Sequence, residues 1–168
     1  MRIRPETQAD HDAIGRVTTA AFATAAHASG QEARIVEALR AAGALRLSLV
    51  AECEGAVAGH VALSPVTLDD GTPGWFGLGP VSVDPDRQGR GIGAALVRAA
   101  LDRLPALGAA GCVVLGDPAY YTRFGFRHHP ALRYPQAPAE YFMALGDAVP
   151  AATVAYHPAF HLPDPASA

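Results

Sequence analysis

Three glycines alternate at Gly89, Gly91 and Gly93, directly ahead of an apolar, helix-forming run. The first amides of a helix have no internal carbonyl to bond, and they carry the positive end of the helix dipole. Glycines remove the side chains that would keep an anion away from that backbone. Each also costs conformational entropy, and three in alternation are more than a tight turn demands. Residues 88–94 therefore predict a seat for a phosphate or diphosphate, with Arg87 and Arg90 flanking it as charge partners. A nucleoside-triphosphate loop needs Gly-Lys-Ser/Thr, which is absent. The dinucleotide pattern is met by Gly89-x-Gly91-x-x-Ala94, with Asp117 at a distance suited to a ribose contact. Against it, four or five polar residues separate the preceding strand from the glycines, and about fifty residues after Asp117 are too few to complete a doubly wound sheet.

Proton chemistry has fewer candidates. The Tyr120-Tyr121 pair offers phenols, which can donate a proton at neutral pH. His60, Asp117 and Glu140 are the candidate bases. Each also has an ordinary structural reading: a strand residue, a helix cap and a solvated loop residue. His128 and His129 are adjacent and face opposite ways on a strand. His157 and His161 have i, i+4 spacing, but Pro158 and Pro163 work against a helix there, so no metal is expected. Cys53 and Cys112 stand far apart and read as two buried thiols.

The elements that must position these residues follow from periodicity. Ile3 sits in a short edge strand ended by Pro5, and Thr7 and Asp10 have capping-box spacing. Ile14, Val17, Ala21 and Phe22 repeat at helical spacing. A second helix is predicted over 31–42, buried through Ile35, Leu39 and Ala42 and stopped by Gly43. Strands at 47–53 and 57–66 form a hairpin about Glu54-Gly55. The strand 75–83 is interrupted by Gly77, Gly79 and Pro80, which predicts a bulge or a local opening of the sheet. An amphipathic helix over 91–104 buries Leu96, Val97, Ala100, Leu101 and Leu104. Residues 112–115 form a short, wholly apolar strand of the buried parallel kind. A short helix over 119–124, extended chain near Tyr141 and a last strand at 154–156 complete the order.

At 168 residues, half of them hydrophobic, the chain reads as one domain over 1–162 with a loose tail at 163–168. The net charge of −3, without a basic face, argues against nucleic acid as a partner. No apolar run reaches about 18 residues, which argues against a membrane span. The polar start reads as no signal peptide, so the expected compartment is the cytoplasm.

Val83-x-Pro85-x-x-Gln88-x-x-Gly91-x-Gly93 resembles the acetyl-CoA loop of the GNAT N-acetyltransferases, and Tyr120-Tyr121-Thr-Arg-Phe-Gly125-Phe126 resembles a later motif of that family. The segments around Gly116, Glu140 and Val154 are similar to its YhbS-like subgroup. The resemblance implies an α/β (α+β) fold: a mixed, mostly antiparallel central sheet of six to seven strands, splayed at its centre and flanked by about four helices. It implies transfer of an acetyl group from acetyl-CoA to an amine by direct attack in a ternary complex. It implies that Val81, Ser82, Val83, Gln88, Gly89, Arg90, Gly91, Ile92, Gly93, Ala94 and Tyr121 contact the coenzyme. In that scheme the Val81 amide polarises the thioester and Tyr121 gives a proton to the departing thiolate. Many relatives carry a Glu on the strand that here spans 75–83, yet this strand has no carboxylate or His. The base stays open among His60, Asp117, Glu140 and water. The acceptor is a small-molecule or protein amine, entering beside residues 22–30, where His27 is the only titratable group, and 133–150. Dimers are common among relatives. Two other readings remain at this stage: an acyl-CoA sensor without turnover, and a dinucleotide-dependent oxidoreductase.

Overall fold

A computed structural model of the chain describes residues 1–25 and 28–163. His27 and residues 164–168 of the expected tail lie outside the described residues. The central sheet is built on the hairpin of β2 (Leu47–Cys53) and β3 (Ala56–Pro65). Its turn residues Glu54 and Gly55 both take positive φ, 53° and 78°, the twist that matches two antiparallel strands. β1 (Arg2–Pro5) pairs with β2 as the edge. β5 (Trp75–Val83) lies antiparallel to β3, β6 (Gly111–Leu115) runs parallel to β5, and β8 (Phe142–Leu145) closes the far side antiparallel to β6. The order is β1-β2-β3-β5-β6-β8, six strands. β4 (Thr67–Leu68), β7 (Leu132–Arg133) and β9 (Ala152–Ala155) form a separate small sheet in the order β4-β9-β7. The expected 57–66 strand thus ends one residue early. Past Pro65 one cross-strand bond remains, from Val66 N–H to Trp75 O at 3.0 Å, and the chain then turns so that the Asp69 N–H bonds Thr153 O.

Alternation along the strands divides the helices between two faces. α3 (Ile92–Arg103) covers one face, where Leu96, Val97 and Ala100 meet Leu49, Val61 and Leu63. Leu96, Leu49 and Leu63 are fully buried; truncating one to Ala would cost about 2–5 kcal/mol. Leu101 is only half-buried. α1 (His11–Phe22) and α2 (Glu32–Ala41) cover the other face, with Ile14 and Val36 against Val50. α2 departs from expectation at its end: Ala42 is exposed, and Ala44 turns inward instead. Gly43 takes φ 68°, its N–H bonds Arg40 O at 3.1 Å, and Ala44 N–H bonds Leu39 O at 2.9 Å. This closing motif redirects the chain.

The decisive feature is a split between β5 and β6. Their pairing runs from Trp75↔Gly111 to Leu78↔Val114 and stops there. On the other edge of β5 the register with β3 shifts between Val61 and Leu63, so Gly79 and Pro80 form a bulge. Beyond the split Leu115, expected to be buried, is 43% exposed. α4 (Pro118–Tyr121) and a 3-10 turn (Thr122–Phe124) then lead to Gly125 at φ 97°, which ends the short helix where the sequence placed its stop.

Candidate active site

The loop after β5 is held by its own side chains. Asp84 accepts from the Asp86 N–H at 3.1 Å and caps the 3-10 turn Pro85–Arg87. Gln88 donates through Nε2 to the Val83 carbonyl at 3.2 Å. Gly89 and Gly91 take φ 76° and 81°, a region that disfavours other residues. The first carbonyl-paired amide of α3 is that of Ala95, bonded to Gly91 O at 3.0 Å. The Ile92, Gly93 and Ala94 amides precede it and have no intrahelical carbonyl. They border a cavity of about 480 Å³ whose cationic side chains are Arg87 and Arg123. Arg90 is exposed, lies outside that lining, and reaches only the Asp86 carbonyl, at 3.5 Å.

The same cavity runs along the free edge of β5. Asp84 N–H donates to Ala58 O at 2.8 Å, and Ser82 stands opposite His60. Antiparallel hydrogen bonding alternates residue by residue. The Ser82 peptide groups therefore face β3, and those of Val81 and Val83 face the gap left by β6. Val81 and Val83 line the cavity. Ser82 does not; its side chain is buried on Thr18, Oγ to Oγ1 at 3.1 Å.

α4 brings two phenols to this edge. Asp117 caps the helix by accepting from Ala119 N–H at 2.9 Å, and Pro118 occupies the first turn. The Tyr121 ring fills the space a side chain on Gly116 would need. It packs edge-on against Phe126, with centroids 6.1 Å apart at 88°. Burial pushes the Tyr121 phenol up to about 12. Tyr120 reaches the loop: its hydroxyl stands 3.1 Å from where a Gly93 Cβ would sit. Arg123 lies 4.5 Å over the Tyr120 ring and donates to the Tyr120 carbonyl at 2.9 Å. The cavity therefore joins unpaired helix amides, an unpaired strand edge and a protonated phenol.

Residues 18–126 match the model of the Acetyltransferase (GNAT) family. The chain belongs to this family. It is 41% identical over 133 residues to the uncharacterized N-acetyltransferase YhbS of Escherichia coli K12, covering 77% of each chain. The structure of a GNAT acetyltransferase from Brucella melitensis in complex with acetyl-CoA superposes with a TM-score of 0.83 at 50% identity, over 95% of this chain and 97% of that one. Escherichia coli YhbS in complex with CoA superposes with a TM-score of 0.85 at 35% identity, over 96% and 92%. The protein is a GNAT-type N-acetyltransferase. Its sheet has one parallel pair in the six-stranded layer, and Asp117 is engaged as a cap, so the dinucleotide reading of the glycines is set aside.

The three base candidates of this GNAT enzyme are not brought together. His60 is fully buried on the α1/α2 face and borders neither cavity of the site. Its Nε2 lies 2.7 Å from Ser48 Oγ, which donates to Glu6, itself paired with Arg40 at 2.8 Å. Burial holds the imidazole down to about 4, so it is neutral. Asp117 is the α4 cap, and Glu140 is exposed in the 3-10 turn Ala139–Tyr141. His157 caps the turn Pro158–His161 by accepting from Ala159 N–H at 3.0 Å. Among the described residues no cluster of three His, Cys, Asp or Glu could hold a metal, and no helix is long and apolar enough to cross a membrane.

A second cavity of about 450 Å³ opens at the split, between residues 78–81 and Leu115, and shares Phe22, Val81 and Tyr121 with the first. It holds a carboxylate that sequence reasoning missed. Glu32 is 9% exposed and lines this cavity. Its Oε1 accepts from Ser29 N–H at 2.7 Å and Ser29 Oγ at 3.2 Å. The signal is the capping-box spacing of Ser29-x-x-Glu32, whose Glu lies two residues past the acceptor segment 22–30. Arg123 was missed as well; nothing in its spacing marks it as facing the glycine loop.

Proposed function

We propose that the enzyme carries acetyl-CoA in the first cavity and transfers its acetyl group to an amine held in the second, by direct attack where the two meet at Val81 and Tyr121. The diphosphate rests on the Ile92–Ala94 amides, with Arg87 and Arg123 beside it. Charge-assisted hydrogen bonds of this kind contribute about 1.5–3 kcal/mol each. The pantetheine arm runs along the unpaired edge at Val81 and Val83 and takes the place of a sheet neighbour. The Val81 N–H polarises the thioester carbonyl as negative charge develops there. The neutral amine nitrogen bonds to the acetyl carbon, the carbon–sulfur bond breaks, and the thiolate takes the Tyr121 proton. The new amide nitrogen loses its extra proton to solvent, and Tyr121 is reprotonated. Burial keeps the Tyr121 proton in place across the working range, so a donor stands beside the sulfur as negative charge develops there. Alignment of the reactants supplies a large share of the rate.

The observation that carries this reading is the meeting of helix amides, strand edge and Tyr121 in one cavity. Calorimetric titration with acetyl-CoA tests it. Gly91→Glu places a carboxylate at the anion seat and abolishes binding. Gly91→Asn tolerates the left-handed backbone without a charge and retains binding. Equal affinities in the Glu variant and the wild type would overturn the loop assignment. The chain has thirteen arginines and no lysine, so thiol release without acceptor cannot arise from acetylation of its own lysine side chains.

A further inference from the structure

The second cavity has a distinct chemistry. Its aromatic wall is continuous: Tyr134 and Tyr156 meet edge to face with centroids 5.1 Å apart, and Tyr156 and Phe160 meet at 5.1 Å. Leu115, exposed at the split, extends the apolar surface. Glu32 is the one carboxylate in the lining; His161 also lines it, and no Arg or Lys joins them among the described residues. The coenzyme cavity, by contrast, carries Arg87 and Arg123 and no carboxylate. At about 450 Å³ the cavity is large enough to hold a small amine.

Tyr156 is fixed in this wall by close packing. The absence of a side chain at Gly77 seats its ring: a Cβ there would fall 2.8 Å from Tyr156 Cε1. Its hydroxyl is buried and has no hydrogen-bond partner among the described residues.

We infer that the acceptor is a small primary amine on an aromatic or apolar stem with no carboxylate beside the nitrogen, with Glu32 as counter-charge for its ammonium. Aromatic faces and a single carboxylate attract a cation. An α-carboxylate next to the amine would meet Glu32 with no Arg or Lys in the lining to offset it. A polyamine would bring a second cation with no second carboxylate in the lining to pair it. The inference rests on acetyl transfer at the Val81 end of the cavity.

The test is a thiol-release assay at saturating acetyl-CoA with phenethylamine, phenylalanine and putrescine, beside titration of acetyl-CoA itself. The expected kcat/KM for phenethylamine exceeds that for phenylalanine by about 100-fold or more. Glu32→Gln keeps an oxygen for Ser29 but loses the charge. It should raise the KM for phenethylamine about 10- to 100-fold while the acetyl-CoA Kd and the melting temperature hold. A role confined to holding the Ser29 loop would move the melting temperature instead. Preference for phenylalanine or putrescine, no turnover of phenethylamine by an enzyme that binds acetyl-CoA, or an unchanged KM in Glu32→Gln overturns the inference. Failure to bind acetyl-CoA overturns the acetyl-transfer reading beneath it.

Discussion

Tyr121 is placed by what its neighbours lack. Gly116 leaves room for its ring, and burial keeps its proton on. Tyr121→Phe should lower kcat about 100-fold or more with little change in acetyl-CoA affinity; steady-state kinetics beside a binding titration checks it. The wild-type rate should rise with pH as the acceptor amine deprotonates and should not fall again below about pH 10, because the phenol still holds its proton there. Gly116→Ala attacks the same residue from behind. Its methyl would overlap the Tyr121 ring, so kcat should fall together with about 1–3 kcal/mol of stability. Gly15→Ala is the control: nothing stands within 4 Å of a Cβ at that helical position, and it should leave kcat unchanged and stabilise by up to about 1 kcal/mol.

At the scale of elements, the sheet joins catalysis to stability through strands shared by two faces. His60 pairs with Ser82 on β5, next to the cavity-facing Val81, yet its side chain serves the opposite face. Burial lowers its pKa to about 4 from about 6.5 in the unfolded chain. The folded state therefore resists a proton that the unfolded state accepts. Stability should be full above about pH 6.5 and fall by about 3 kcal/mol as pH drops toward about 4. Asp10, held well below the usual carboxylate range by Arg4, adds its loss at still lower pH. Urea denaturation at pH 7 and pH 4.5 should show this drop in the wild type and a much smaller one in His60→Gln. The elements themselves were legible where glycine and proline punctuate the chain: the hairpin about Gly55, the interrupted strand at Gly79-Pro80 and the helix after Gly91 all stand where the sequence put them. Other features depend on contacts distant in sequence and left no local mark. The pairing of β9 with β4, the exposure of Leu115 and the facing of Arg123 toward the loop are of this kind.

For the molecule as a whole, the split between β5 and β6 is the organising event. Trp75 lies where any side chain on Gly111 would sit, so the strands close tightly at one end. They part past Leu78 and Val114; the second cavity is lined by both strands at the parting, and the first follows β5 onward past Val81 and Val83. α3 delivers its amides to one cavity, the start of α2 delivers Glu32 to the other, and Val81 and Tyr121 belong to both. No base was legible in the sequence because the strand Trp75–Val83 carries no carboxylate or His, and the one carboxylate lining the second cavity, Glu32, sits at a helix start instead. The most direct test is a crystal structure with acetyl-CoA. The account predicts diphosphate oxygens within about 3 Å of the Ile92–Ala94 amides and the thioester carbonyl on the Val81 N–H. A coenzyme bound elsewhere, with those amides bonded to water or to the protein's own side chains, would contradict it.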